Sequence, residues 1–381
     1  MNFFVLIASF LLCITPHLSQ ASTYCHTAKN SYQNDISCCI ADIKFDGERI
    51  FICEFGEGIE SRFKGYDALY GTGSMWRMIW QSLANFNMPL HYIGTTFLEA
   101  PKTDKTFAYD TFKHYGRTSD TLADFTKYCS SKKMLSQKHM VIAHSIKQSA
   151  QSVYKLQEPS PDLIIFGKAT SKHVRSKQAT NRLFVSPFLK QFKPATLEIE
   201  KKYSPALAAE IIEAIPSDFY VIKPPCCALG QGVILIPKEE LDRTLKLIID
   251  HKKELSPKNS PSAYRYWEKD KSASIMVEAF ASSKTIMSQG KPFDATLRAV
   301  FIISNLNGTI GIQHLGAYWK LPIKSLTETG SFMEKHKSSI SSSRVSSAPV
   351  DVSDYKIVCE QLNLLLPVLY EEMLKLMPNN S

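Results

Sequence analysis

Lys223 stands between two apolar runs, beside a loop that contains two glycines. In "DFYVIKPPCCALGQGVILIPKEELD", residues 218–242, one apolar run ends at Lys223 and the next begins at Val233. An ammonium group supplies a point charge to phosphate oxygens. Gly230 and Gly232 allow backbone N–H groups to approach an anion closely. The segment therefore predicts a β-loop-β unit whose chemistry suits a triphosphate.

Two nucleotide-binding patterns do not fit this segment. In a P-loop the lysine follows the glycines and opens a helix, and a dinucleotide fold has the spacing GxGxxG. Neither arrangement occurs around Lys223. The structural alternative is an ordinary hairpin with a glycine turn, in which a strand-end lysine extends its ammonium to water.

A second group of candidate residues lies further along the chain, in two predicted strands. "SIMVEAFA" (274–281) contains Glu278, and "FDATLRAVFIIS" (293–304) contains Asp294 and Arg298. Side chains four residues apart on a strand share a face. Asp294 and Arg298 could thus face one pocket. The alternatives are structural: a strand-end salt bridge for Asp294, an ion pair for Arg298 and an ordinary hinge residue for Glu278.

In order and spacing, these segments resemble the ATP-grasp superfamily. "VIKPPCCALGQGVILI" is similar to its phosphate-binding strand and glycine loop, "MVEAFASSK" to its hinge strand, and "KPFDATLRAVFI" to the strand that follows. The resemblance covers residues 180–322. It departs from the family at Ala279, where a second acidic residue is usual, and in lacking a Glu-x-Asn metal motif after residue 322.

The resemblance implies a role for each matching residue, with ATP and Mg²⁺ as cofactors. Lys223 would contact the α and β phosphates, and Glu278 would read the ribose and adenine. Arg298 would stabilise the charge of the transferring phosphate as the catalytic residue. The remaining implied assignments are the closing loop at Gly230, Gln231 and Gly232, further phosphate contacts at Arg182 and Lys320, and a metal ligand at Asp294.

The pattern of elements predicts an α/β and α+β chain. We expect a signal peptide over residues 1–21, an N-terminal α/β domain over 22–165, and a two-subdomain ATP-grasp domain over 166–381. "IKFDGERIFICEF" predicts a hairpin that turns at Asp46-Gly47. Asn307-Gly308 predicts a second hairpin turn.

The N-terminus and the composition bear on where the chain works. Phe3–Ile14 is almost wholly apolar, and Ser19-Gln20-Ala21 has the form of a signal-peptidase site. We therefore expect cleavage near Ala21 and a secreted or periplasmic protein. An uncleaved anchor or a buried strand is the alternative. Eight cysteines follow this leader, an even number that permits disulfides without fixing their pairing.

The formal net charge of +9 favours anionic partners in general. No basic block with interleaved aromatic residues is apparent, so we expect no nucleic-acid partner and, after cleavage, no membrane span. The sequence does not specify the oligomeric state.

The leading hypothesis is an ATP-dependent ligase that activates a carboxylate as an acylphosphate for attack by an amine or another nucleophile. The carboxylate itself cannot be identified from the sequence. One alternative is a secreted, non-catalytic ATP-grasp-like protein that binds a nucleotide or a partner. Another is a disulfide-held secreted α/β protein with no nucleotide site.

Overall fold

The computed structural model describes most of the chain after the predicted leader. The described residues are 23–27, 34–58, 63–93, 112–119, 122–132, 138–143, 162–174, 176–226, 230–250, 262–338 and 347–376. The predicted signal peptide lies outside them, and so do residues 145–156, whose sequence pattern favours a helix.

The strands fall into three larger sheets and one short hairpin. In chain order they are β1 (Thr23–Thr27), β2 (Asp35–Phe45), β3 (Ile50–Glu57), β4 (Leu90–Ile93), β5 (Arg117–Ser119), β6 (His139–Ala143), β7 (Leu163–Ile165), β8 (Thr196–Glu200), β9 (Phe219–Lys223), β10 (Ile234–Pro237), β11 (Ser274–Ala279), β12 (Ile286–Ser288), β13 (Lys291–Phe293), β14 (Thr296–Leu306), β15 (Thr309–Lys320) and β16 (Ser347–Ala348).

The helices lie mostly between strands and cover the faces of the sheets. They are α1 (Lys64–Tyr70), α2 (Ser74–Ala84), α3 (Leu122–Lys132), α4 (Ser171–Val174), α5 (Lys177–Asn181), α6 (Pro187–Lys190), α7 (Leu207–Ala214), α8 (Leu241–Ile249), α9 (Ser262–Lys269), α10 (Phe332–His336) and α11 (Val352–Lys375). No helix in the described ranges is long and apolar enough to cross a membrane.

The six-stranded sheet, which we call the large sheet, has the order β1-β15-β14-β2-β3, with β16 paired to β15. Alternate residues of its strands, such as Ile43 on β2 and Leu297 on β14, pack in one core with Leu362 of α11. This arrangement follows from the period of two along a strand. One face of the large sheet is therefore apolar along its length and covered by the C-terminal helix.

The opposite face of the large sheet changes from apolar to charged along β2. Ile36, Cys38 and Ile40 pack with Trp76 of α2, but the next residues on this face are Asp42 and Lys44. Both charged residues are buried, at 6% and 5% exposure. Buried charge requires partners, so this end of the face must be lined with other charged groups.

A second antiparallel sheet, the small sheet, has the order β10-β9-β11-β8. Tyr220, Ile222 and Val277 lie in a core with residues of α7, α8 and α9. The alternate residues of β9 and β11, including Lys223 and Glu278, therefore point to the other face. That face is turned toward the charged end of the large sheet.

Several sequence predictions are confirmed by these elements. The chain is a mixed α/β structure with antiparallel sheets. The hairpin at Asp46-Gly47 pairs Phe45 with Ile50, and the turn at Asn307-Gly308 joins β14 to β15. Apolar residues at helical spacing after Lys238 favour a helix, and Leu241, Leu245 and Ile248 are indeed buried on α8.

One predicted strand was placed too early in the chain. The strand expected over 293–304 begins at Thr296, so Asp294 lies between β13 and β14. Asp294 and Arg298 therefore do not belong to one continuous strand, because the short β12–β13 hairpin ends at Phe293. The sequence reading missed this hairpin, whose strands are each only three residues long.

The predicted boundary at residue 165 remains a prediction. Strands on both sides of it share the large sheet, because β2 pairs along its length with β14. The strands between them form a third, parallel sheet in the order β5-β4-β6-β7. Among the cysteines that the structure describes, Cys25, Cys38, Cys39, Cys53, Cys226 and Cys359 are free thiols.

Two buried histidines join neighbouring strands of the parallel sheet. His91 Nε2 lies 3.0 Å from His139 Nδ1, so the two rings share one hydrogen bond. Burial, His139 and Arg117 lower the pKa of His91 from 6.5 to about 4. Burial also lowers the pKa of His139, against the opposing charge of Asp162. Both imidazoles are thus neutral in the folded protein at neutral pH.

This pair predicts that the protein is less stable in mild acid. Below an unfolded-state pKa of about 6.5, the unfolded chain binds protons that the folded pair excludes. The free energy of unfolding should therefore fall between about pH 7 and pH 5, above the range where carboxylates titrate. Urea denaturation across this range should show a shallower fall in His91→Gln than in wild type.

His114 provides the matched control for this measurement because it is an exposed histidine in the same part of the chain. His114→Gln should keep the wild-type dependence on pH. Identical pH profiles for His91→Gln and wild type would rule out the histidine pair as the cause.

Candidate functional site

A cleft separates the facing surfaces of the large and small sheets. It encloses about 740 Å³ of empty space, including its mouth. The large sheet contributes Asp42, Lys44, Thr296 and Lys320 to the lining. Strands β9, β10 and β11 of the small sheet line the other side.

One end of the cleft is apolar. Val221, Leu235 and the segment Ala279–Ala281 line it beside Pro194. The segment follows directly from β11, the predicted hinge strand. Its apolar walls are suited to a flat heterocyclic ring.

Helix α10 adjoins this apolar end. Its Phe332 stacks on Phe219, with ring centroids 4.4 Å apart, and also contacts Phe280. The chain after α10 then borders the mouth, where Lys337 donates from Nζ to the Val233 carbonyl over 2.8 Å.

Glu278 lies at the base of the cleft between two lysines. Its Oε1 accepts from Lys193 Nζ at 2.5 Å, and its Oε2 accepts from Lys223 Nζ. Lys223 Nζ also donates to the Cys53 carbonyl of the large sheet over 3.2 Å. This lysine therefore links the two walls of the cleft.

Burial and pairing act in opposite directions on these groups. Burial alone would raise the pKa of Glu278, but Lys193 and Lys223 hold it below its usual range. Burial would lower the pKa of Lys223, yet Glu278 raises it. For Lys193 burial prevails, and its pKa falls.

A second charged group crosses the large sheet. Asp42 receives a bidentate contact from Arg298, with Nε to Oδ1 at 2.7 Å and Nη2 to Oδ2 at 2.9 Å. Lys320 Nζ donates to the same Oδ2 over 2.8 Å. The strand register explains this meeting, because Arg298 lies directly opposite Asp42 on β2 and Lys320 opposite Thr296 on β14.

The pKa values in this group follow from burial and charge. Burial would raise the pKa of Asp42, but Arg298 and Lys320 lower it far below its usual range. Burial and the neighbouring Arg298 lower the pKa of Lys320 despite Asp42. Asp42 is therefore an ionised acceptor in the folded protein.

A third charged group surrounds Asp294. Its Oδ1 accepts from Lys44 Nζ at 2.9 Å and from the Ser283 backbone N–H at 2.7 Å. Its Oδ2 lies 2.6 Å from His336 Nδ1. Burial would raise the pKa of Asp294, but His336 and Lys44 lower it.

The predicted glycine loop borders the cleft with only one of its residues. Gly230 lines the cavity, Gln231 is exposed and Gly232 is buried. Both glycines have positive φ, 65° and 69°. A Cβ on Gly232 would lie 2.6 Å from side-chain atoms of Pro224 and Tyr266. Gly232 is thus required for packing, while residues 227–229 lie outside the described part.

The predicted site residues fall into three sets. The cleft is lined by Lys223, Gly230, Glu278 and Lys320. Arg298 and Asp294 lie outside the lining and pair with two residues that belong to it, Asp42 and Lys44. Arg182 does not line the cleft. Its guanidinium is largely exposed and pairs with Glu198 at 3.1 Å. A phosphate-binding role for any of these residues remains a prediction.

Sequence reasoning missed Lys193, Asp42 and Lys44. A signal for Lys193 was available, because "FKP" (192–194) repeats the Lys-Pro pair of "IKP" (222–224). The signal for Asp42 and Lys44 was their spacing. They stand two apart in an otherwise mostly apolar strand, so both side chains lie on the same face of the sheet.

The lining is rich in cations. It contains five lysines (Lys44, Lys177, Lys223, Lys320 and Lys337) and three carboxylates (Asp42, Glu54 and Glu278). Such a surplus favours a multiply charged anion.

The same residues do not fit Mg²⁺. The cation prefers about six oxygen ligands, but both oxygens of Asp294 already accept from nitrogen donors. In the described part of the chain, no group of three His, Cys, Asp or Glu residues is placed to hold a metal.

Comparison with known proteins gives only distant likenesses. No family model and no curated protein matches the chain. A protein assigned as a gamma-glutamylcysteine synthetase from Methylobacillus flagellatus KT has a TM-score of 0.44 at 8% identity, over 90% of each chain. D-alanyl-alanine synthetase A from Vibrio cholerae has a TM-score of 0.29 at 10% identity, over 60% of this chain and 59% of the other.

The Asp42 group predicts a large stability effect. Asp42→Asn would leave Arg298 and Lys320 buried without their counter-charge. Removing one partner from a buried ion pair costs about 3–5 kcal/mol. Equilibrium urea denaturation should show a loss of that order.

Glu328→Gln is the control, because Glu328 pairs with Lys291 at the surface over 2.9 Å with both side chains exposed. It should cost far less than Asp42→Asn, because exposed ion pairs contribute little to stability. A loss for Asp42→Asn no larger than this control would contradict the description of a buried, mutually dependent charge group.

Proposed function

We propose that the cleft binds the triphosphate of ATP and that the chain is an ATP-dependent ligase of the ATP-grasp type. The observation that supports this proposal is that Lys223 and Lys320 line one cleft with an apolar end, where each shares its carboxylate with a second cation, Lys193 and Arg298 respectively. Phosphoryl transfer depends on positioning and on neutralising phosphate charge. The cations that such a task needs are already in place before any ligand binds.

Lys223 and Lys320 are the residues we assign to direct phosphate contact, because both line the cavity. Each is held by a carboxylate, Glu278 or Asp42, which fixes its position. A phosphate oxygen would add to these contacts as a further acceptor, since an ammonium has three donors. Ala279–Ala281 would bind the adenine edge through the backbone at the apolar end.

In the proposed reaction, an oxygen of the substrate carboxylate attacks the γ phosphorus. The bond from that phosphorus to the β–γ bridging oxygen breaks, and ADP leaves with the electron pair. An amine or another nucleophile then attacks the acyl carbon and releases phosphate. Lys320 would stabilise the charge of the transferring group directly, and Arg298, which lies outside the lining, would support it by fixing Asp42, the carboxylate that holds Lys320. Because the residues present do not fit Mg²⁺, we assign no step to the metal.

A non-catalytic nucleotide- or partner-binding protein is the second candidate. It is favoured by the pairing of the cleft carboxylates, since Asp42, Glu54, Glu278 and Asp294 each have a cationic partner. The two candidates share the cleft and differ in turnover.

Export is a separate proposal. The predicted cleavage near Ala21 precedes β1, which begins at Thr23 and pairs with β15 of the large sheet. A chain cleaved there would keep this edge strand. Export would also favour the non-catalytic binding protein over the ligase, because ATP is scarce outside the cytoplasm.

Nucleotide binding can be tested at Lys223. Lys223→Ala should weaken ATP binding by about 1.5–3 kcal/mol, the range for a hydrogen bond to a charged group. This is about a 10- to 150-fold rise in Kd, measurable by calorimetric titration. ADP release by the wild type with candidate carboxylic acids would then separate the ligase from the binding protein.

Lys201→Ala is the matched control. Lys201 is also a buried lysine in an ion pair, with Asp270, but it lies outside the cleft lining. It should retain wild-type affinity if folded. Equal ATP affinity in wild type and Lys223→Ala would refute the assignment, and ATP binding without ADP release for any acid would favour the second candidate.

A further inference from the structure

We infer that this cleft takes its polyphosphate ligand free of divalent cation, with the ammonium groups of the chain providing the neutralising charge. The inference rests on the proposed nucleotide binding and specifies the ionic form of the ligand. It concerns the charge state in which the ligand binds, whether or not turnover follows.

The first argument is the environment of Asp294, the acid that a metal would be expected to use. Lys44 Nζ donates to Asp294 Oδ1 at 2.9 Å and to the carbonyls of Asp294 and Ala295 at 3.2 Å each. The Lys44 and Asp294 side chains are only 6% and 4% exposed. The ammonium therefore occupies the position beside the carboxylate in which a cation would be bound.

The second argument is that the other cleft carboxylates are occupied in the same way. Asp42 accepts from two cationic groups, and Glu278 accepts from two lysines. Glu54 pairs with Lys177 at 2.9 Å. A magnesium ion at Asp42 or Glu278, whose oxygens both already accept from cations, would have to displace a hydrogen-bonded cation and would then lie near that displaced positive charge.

The third argument concerns the ligand. Free ATP carries two more negative charges than its magnesium complex, so a cleft with surplus positive charge attracts the free form more strongly. Five lysines against three carboxylates in the lining give that surplus. Magnesium in the solution should therefore compete for the ligand rather than assist its binding.

The test is calorimetric titration with ATP and with inorganic tripolyphosphate, each in EDTA and in excess Mg²⁺ at equal ionic strength. We expect Kd for ATP to be about three-fold or more lower in EDTA. Tripolyphosphate should show the same preference, because the phosphates cause it. A preference confined to ATP would overturn this electrostatic explanation.

The outcomes separate this inference from the proposed function. Binding that requires Mg²⁺, or that Mg²⁺ strengthens, would overturn the metal-free form and leave nucleotide binding intact. Failure of ATP to bind under either condition would overturn both.

Two variants test the origin of the preference. Lys44→Gln keeps a hydrogen-bond donor beside Asp294 but removes its charge, so the preference for EDTA should diminish or reverse. Lys320→Gln should shift the ratio of the two Kd values in the same direction, which keeps the test available if Lys44→Gln does not fold. Lys201→Gln, outside the cleft, should retain the wild-type ratio. An unchanged ratio in a folded Lys44→Gln or Lys320→Gln protein would refute the inference.

Discussion

The cleft depends on the pairing of charges that the two sheets bury between them. A carboxylate removed from water without a partner is too costly to keep ionised. Asp42, Glu278 and Asp294 are each nearly inaccessible, and each accepts from at least two donors that include a cation. The positions of Lys44, Lys193, Lys223, Arg298 and Lys320 follow from this requirement before any ligand is considered.

The sheets make that pairing possible because apolar and charged residues take different places along and across their strands. On the large sheet, one face is apolar throughout and packs on α11, while the other changes from Ile40 to Asp42 within two residues of β2. The small sheet places Val277 in a core and its neighbour Glu278 in the cleft. A fixed alternation therefore positions a polar cleft between two hydrophobic cores, with the Lys223 contact to the Cys53 carbonyl joining its walls.

Local sequence patterns predicted much of this arrangement. They failed where a side chain's place depends on a partner far away in the sequence. The strands around Lys223, Glu278 and Arg298 were read from alternation and turn residues, and both hairpin turns were correct. The partners of Asp42 were not accessible in this way, because Arg298 lies 256 positions further along the chain. Arg182 was chosen by its position before the motif, yet it is exposed. Lys193 was overlooked, although it repeats the Lys-Pro pair of Lys223.

The central claim is that the paired cations of this cleft receive a polyphosphate. The most direct measurement is a crystal structure of the protein with a non-hydrolysable ATP analogue. The account predicts phosphate oxygens within hydrogen-bonding distance of the ammonium groups of Lys223 and Lys320, with the base against Ala279–Ala281. An analogue bound elsewhere, or a cleft that excludes it while these lysines keep only their carboxylate partners, would contradict the claim.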